Sequence, residues 1–106
     1  MLDIRTDKVV RVIFLAREYG PDSRHLRDYI SGLNEDEAVS LVAALWIGRG
    51  SFAPDDAEAA MTAARQEATA PTEAYLAGIP ELPDLLEDGM EALGISVADA
   101  EDHLRG

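Results

Sequence analysis

The sequence contains no cysteine, which excludes disulfide bonds, thiolate catalysis and cysteine-ligated metal sites. It also lacks a long apolar run. Its most apolar N-terminal stretch, residues 9–16, is interrupted by Arg11 and is far shorter than the roughly 20 residues that span a bilayer. No small-residue cleavage site accompanies this stretch, so we expect it to belong to the fold. We therefore expect a cytoplasmic protein that does not bind membranes.

Positive charge is scarce and unevenly distributed along the chain. Residues 1–33 carry six basic and five acidic side chains, whereas residues 34–106 carry three basic and sixteen acidic ones, for a total net charge of −12. Such a surface repels phosphate backbones and anionic membranes, so binding to nucleic acid or membrane is not expected. A basic protein partner fits this charge better, although acidity can also serve solubility alone.

The stretch from Asn34 to Gly50 predicts one well-delimited helix. Asn34 is a favourable N-cap, and Glu37 follows three residues later, the spacing of a capping box. Apolar residues at positions 38, 41, 42 and 45 share one helix face, and further apolar residues up to position 47 widen that face. Gly48 and Gly50 then predict the end of the helix. This pattern is typical of a core helix.

Similar signals predict helices along the rest of the chain. Residues 9–16 could also form a buried strand, but the length of the segment and a cap at Thr6 favour a helix from Asp7, with Phe14 beside its buried face. Gly89 suggests close packing against a neighbouring helix. The other predicted helices cover residues 23–30, 54 onwards, 71–77, 82–93 and 97–104.

These segments predict a compact all-α bundle of five to seven short helices in a single domain, residues 1–106. We expect the core within about residues 7–94, with the first, third and sixth helices at its centre. The last helix, 97–104, has few apolar residues and is expected to be peripheral.

Neither histidine predicts catalysis or metal binding. His25 lies three residues from both Asp22 and Asp28, and His103 lies four residues after Asp99, but such pairs are common on solvated helix surfaces. The paired carboxylates lie at helix starts or on polar faces, and no EF-hand loop is present. We therefore expect no enzyme activity, no metal and no cofactor.

The end of the Asn34 helix holds the residues most suggestive of a contact site. Trp46, the only tryptophan, is followed closely by Arg49 and Phe52, and an aromatic–arginine cluster can recognise an acidic or aromatic group. Tyr75 is a further candidate. The pattern is not a phosphate loop, because it follows a helix and lacks the glycine spacing. Alternatively, Trp46 belongs to the core and Arg49 pairs with Asp55 or Asp56, a structural role that we favour.

Two hypotheses involve nucleic acid. The second and third helices are joined by a short glycine-containing turn, as in a helix-turn-helix, but Glu35, Asp36 and Glu37 would then face the DNA. Three carboxylates at that position oppose DNA binding. The opposite hypothesis is that the protein is an acidic mimic of nucleic acid that occupies a groove of a basic protein. Binding to such a partner would weaken steeply as the salt concentration rises.

The segments ISGLNEDEAVSLVAALWIGRG (30–50) and YLAGIPELPDLLEDGMEALG (75–94) resemble a family of small bacterial proteins known only as a domain of unknown function. The resemblance covers most of residues 7–94, and WIGRG and LxGIP are its specific parts. It implies a free-standing small domain and no particular chemistry. The leading hypothesis is therefore a non-enzymatic interaction or regulatory module that binds a protein partner or itself. The alternative is a small-molecule or anion-binding domain that uses Trp46, Arg49 and Tyr75.

Overall fold

The computed structural model describes residues 2–67 and 71–97, and within these ranges the chain forms six α-helices and no strand. The helices are α1 (Thr6–Tyr19), α2 (Arg24–Ser31), α3 (Glu35–Gly48), α4 (Ala57–Gln66), α5 (Thr72–Ala77) and α6 (Leu82–Ala92), with a 3-10 turn at Pro54–Asp56 before α4. The predicted all-α class is confirmed. The predicted helix 97–104 lies outside the described residues except for Val97, which is buried.

Local caps set the start of α2, one residue later than predicted, and of α3. The Ser23 hydroxyl accepts a hydrogen bond from the Leu26 N–H at 3.3 Å and begins α2. Asn34 and Glu37 form the predicted capping box: the Asn34 side chain accepts from the Glu37 N–H at 2.8 Å, and the Glu37 carboxylate accepts from the Asn34 N–H at 3.0 Å. These bonds satisfy backbone donors that have no partner within the helix.

The predicted cap at Thr6 is wrong. Thr6 is the first residue of α1, and Arg5 occupies the N-cap position without a side-chain cap bond. The Arg5 carbonyl instead accepts hydrogen bonds from the N–H groups of Lys8 and Val9, which extends the helical pattern one residue earlier. The start of α1 is therefore set by backbone hydrogen bonds to the Arg5 carbonyl and not by a side-chain cap.

The core forms around α3, which packs against α6 and α4, while α1 packs against α6 and α2. Every residue from Val39 to Ile47 is buried, as expected for a helix surrounded on most sides. The predicted central position of the first, third and sixth helices agrees with this packing. Phe14 differs from the prediction, because its position on α1 turns it outward and leaves it 49% exposed.

Helices α3 and α6 approach each other closely because each carries a glycine at the crossing. A Cβ added at Gly48 would lie 1.9 Å from the Leu85 carbonyl oxygen, and one added at Gly89 would lie 2.1 Å from the Ala44 carbonyl oxygen. No side chain fits at either position unless the backbones separate. The predicted close packing at Gly89 is therefore confirmed, and Gly48 is its counterpart on α3.

Candidate contact site at the end of α3

The end of α3 is fixed by a hydrogen-bonded cap at Gly50. The Ser51 N–H donates to the Trp46 carbonyl at 2.9 Å, and the Gly50 N–H donates to the Ile47 carbonyl at 3.1 Å. This pair of bonds is a Schellman motif, which requires a residue at positive φ, and Gly50 has φ of 87°. Of the two glycines predicted to stop the helix, only Gly50 does so, because Gly48 is still helical and serves the α6 contact.

Trp46 is buried at this helix end and connects three segments of the chain. Its indole is 6% exposed, and its Nε1–H donates a hydrogen bond to the Tyr75 hydroxyl at 3.0 Å. The Phe52 ring stacks on the indole with a centroid distance of 5.9 Å and an interplanar angle of 20°. The indole therefore holds the loop after α3 against α5.

Arg49 is exposed, and its guanidinium lies over the same indole. Its guanidinium carbon is 5.9 Å from the ring centroid, within the range of a cation–π interaction. Its Nε donates to the Ser51 hydroxyl at 3.0 Å. In the described part of the chain Arg49 forms no ion pair with Asp55 or Asp56, so the predicted structural pairing is wrong. The turn at Gly50 brings Ser51, rather than these carboxylates, to the guanidinium.

The structure thus brings all four candidate residues together, and we call Trp46, Arg49, Phe52 and Tyr75 the junction cluster. Trp46 is buried, Phe52 is half-buried, and Arg49 and Tyr75 are exposed. Ser51 was not a candidate, although its position directly after the Gly50 cap is a local signal for its contact with Arg49. The cluster offers an aromatic support with hydrogen-bond donors at its surface.

The remaining candidate side chains lie apart from this cluster. His25 stacks on Tyr19 with a centroid distance of 4.1 Å, and Asp28 pairs with Arg24 at 3.7 Å. His103 lies outside the described residues. Among residues 2–67 and 71–97, no group of three histidine, aspartate or glutamate side chains could hold a metal ion.

Ion pairs use several of the scarce basic side chains to join helices. Arg17 on α1 contacts Asp84 at 3.1 Å and Glu87 at 2.9 Å on α6, and Arg65 on α4 contacts Asp36 at 2.7 Å on α3. Much of the positive charge is therefore engaged within the molecule, while many carboxylates elsewhere remain exposed.

The best-buried ion pair joins Lys8 on α1 to Glu37 at the start of α3. The hydrogen bond from Lys8, together with the bond from the Asn34 N–H, lowers the pKa of Glu37 below its ordinary value. The same bond to Glu37 raises the pKa of Lys8. Nearby on the same side, burial raises the pKa of Tyr29. These groups stabilise the fold and lie apart from the junction cluster.

The fold defines a small all-α domain whose described helices include none long and apolar enough to cross a membrane. Residues 23–95 match the model of a family described as a protein of unknown function, DUF3775. The chain belongs to this family, and the match includes the junction cluster and both crossing glycines, whereas α1 precedes it. No curated protein and no solved structure shows significant similarity to the chain.

Proposed function

We propose that this domain is a non-enzymatic interaction module that contacts its partner through the junction cluster. The observation that carries the proposal is the arrangement of Arg49, Phe52 and Tyr75 on the packed indole of Trp46. Tryptophan, tyrosine and arginine are the residues enriched at the energetic centres of protein interfaces. Because these side chains are already held by mutual contacts, partner binding would cost little further side-chain entropy.

The residue types at the cluster support binding. Arg49 and Tyr75 both carry groups that donate hydrogen bonds, and a planar guanidinium can donate two of them in parallel. The cluster is therefore suited to hold a partner group in place.

The surrounding charge favours a basic protein partner in the cytoplasm. Residues 34–106 carry a net charge of −13, and several of their carboxylates are exposed and form no ion pair within the described ranges. Examples are Asp55 and Asp56 in the 3-10 turn, Glu58 in α4, Glu81 just before α6, and Asp88 and Glu91 in α6. Long-range attraction by these carboxylates would accelerate encounter with a basic partner and would weaken with salt.

The test is affinity capture from a lysate of the source organism at low and high salt, with wild type and two variants. Arg49→Gln removes the charge at the junction, and Arg11→Gln removes the same charge from an exposed position on α1. We expect a stoichiometric partner that is lost with Arg49→Gln and retained with Arg11→Gln. Equal retention by both variants would refute the junction as the contact site, and sedimentation of the purified protein tests whether the partner is a second copy.

A second candidate function is the binding of a small molecule at the same cluster. The Trp46–Tyr75 hydrogen bond favours it, because this bond joins α3 to α5 at the indole, and the Arg49 guanidinium lies over the same ring. Thermal unfolding followed with a fluorescent dye, in the presence of each metabolite of a panel, tests this function. A metabolite that raises the melting temperature of wild type and Arg11→Gln, but not of Arg49→Gln, would support it.

A further inference from the structure

The direction of one hydrogen bond determines which chemistry the junction cluster offers. The indole Nε1–H of Trp46 can only donate, so the Tyr75 oxygen must be the acceptor in their 3.0 Å contact. The hydroxyl hydrogen of Tyr75 is then directed away from the indole. No acceptor for it lies among the described residues, and the side chain is 38% exposed. Tyr75 therefore presents a donor to solvent.

Arg49 presents further donors beside the same indole. One of its five N–H groups, on Nε, is used by Ser51, and its two Nη groups have no partner within the described ranges. The guanidinium lies over the indole ring, and Arg49 is exposed to solvent. Planar guanidinium edges of this kind bind carboxylates with two parallel hydrogen bonds.

These donors select for a negatively charged group. Aromatic clusters can bind cations, but here Arg49 already supplies the cation at the Trp46 face, so a second cation would be repelled. The net charge of −13 over residues 34–106 also disfavours multiply charged anions such as phosphate. Phe52 is half-buried beside the indole and can contact an apolar body. A singly charged anion with an apolar portion satisfies all of these conditions.

We propose that the junction cluster binds a carboxylate carried on an apolar group, with the Arg49 Nη groups and the Tyr75 hydroxyl as donors. This proposal rests on the function proposed above and specifies the group that the partner contributes. The carboxylate belongs to a side chain or chain terminus of the partner protein, or to a free ligand, and the chemistry of recognition is the same.

The test uses the single indole N–H resonance of the only tryptophan, which reports directly on the Trp46–Tyr75 bond. Wild-type protein labelled with nitrogen-15 is titrated at constant ionic strength with sodium benzoate, with benzamide as an uncharged analogue of similar shape, and with inorganic phosphate. We expect saturable movement of the indole cross-peak with benzoate, and little or none with benzamide or phosphate. Equal responses to benzoate and benzamide would overturn the proposal.

Variants assign the effect to the two donors. Loss of a charge-assisted hydrogen bond should weaken benzoate binding by about tenfold or more in Arg49→Gln, and by a smaller factor in Tyr75→Phe. Arg11→Gln is the control of equal charge and should bind like wild type. If Arg49→Gln and Arg11→Gln bind benzoate equally, the guanidinium is not the receptor and the proposal fails.

The two proposals fail in distinguishable ways. If Arg49→Gln loses a captured partner while benzoate leaves the indole cross-peak of wild type unmoved, the contact function stands and the carboxylate proposal is overturned. If benzoate binds through Arg49 and the partner is retained by Arg49→Gln, the carboxylate proposal stands and the contact function fails. Displacement of a captured partner by excess benzoate assigns the carboxylate to that partner, whereas binding without displacement assigns it to a free ligand.

Discussion

Replacing Gly48 by alanine tests the closest contact in the fold. The added Cβ would lie 1.9 Å from the Leu85 carbonyl oxygen, 2.8 Å from the carbon of that carbonyl and 2.9 Å from the Gly89 nitrogen. All three atoms belong to the backbone of α6, so no side-chain rotation can relieve the overlap. Restoring an ordinary contact of 3.4 Å from 1.9 Å requires α3 and α6 to separate locally by about 1.5 Å, the difference of the two distances.

The expected cost follows from two opposing terms. Overpacking a well-packed interior costs typically about 1–3 kcal/mol, and a backbone clash between the two most extensively packed helices lies at or above the upper end of that range. Alanine has better helix propensity than glycine by about 1 kcal/mol, which offsets part of this cost. We therefore expect Gly48→Ala to lower the free energy of unfolding by at least about 2 kcal/mol, a large part of the stability of an ordinary small domain.

Urea unfolding followed by circular dichroism measures this effect. Gly78→Ala is the matched control, because the backbone of Gly78 has φ of −85° and the nearest atom to its added Cβ is 3.6 Å away. The control should change stability by less than about 1 kcal/mol. If Gly48→Ala unfolds with the midpoint and slope of wild type, the α3–α6 distance inferred here is wrong.

Four further predictions concern the capping box, the Lys8–Glu37 ion pair and the junction cluster. Asn34→Ala should lower the free energy of unfolding by about 1–2 kcal/mol in urea, since it removes the side-chain oxygen that accepts the hydrogen bond from the Glu37 N–H. The pKa of Glu37 lies below its ordinary 4.5, so the stability that its charged form adds to the fold is present above pH 4.5 and lost as pH falls through the lowered pKa. Glu37→Gln should therefore show a smaller fall in melting temperature on acidification than wild type. The pKa of Lys8 lies above 10.5, so the stability that its charged form adds to the fold is present below pH 10.5 and lost as pH rises through the raised pKa. Lys8→Met should therefore show a smaller fall in melting temperature at alkaline pH than wild type. Tyr75→Phe should cost about 1 kcal/mol in urea and shift the Trp46 indole resonance, and an unmoved resonance would contradict their hydrogen bond.

Part of the junction cluster could be anticipated from sequence because its members are close along the chain. Trp46 lies in the last turn of α3, and Arg49 and Phe52 follow directly after the helix, so any turn at this point keeps the three residues near each other. Their relative placement was not predictable, because it depends on the Schellman cap at Gly50 and on α5. Tyr75, which accepts the hydrogen bond from the indole, lies 29 positions further along the chain, and no local sequence pattern predicts that contact.

The helices themselves are determined largely by local sequence. Caps at Ser23 and Asn34 and the apolar periodicity of α3 act within four residues, so they retain their meaning without knowledge of the fold. The tertiary structure decided what each helix face contacts, which is why Phe14 proved exposed and Gly48 proved to be a packing residue rather than a cap. Local hydrogen bonds and propensities are encoded within one turn of chain, whereas the approach of α3 to α6 and of Trp46 to Tyr75 depends on how all the apolar faces pack together.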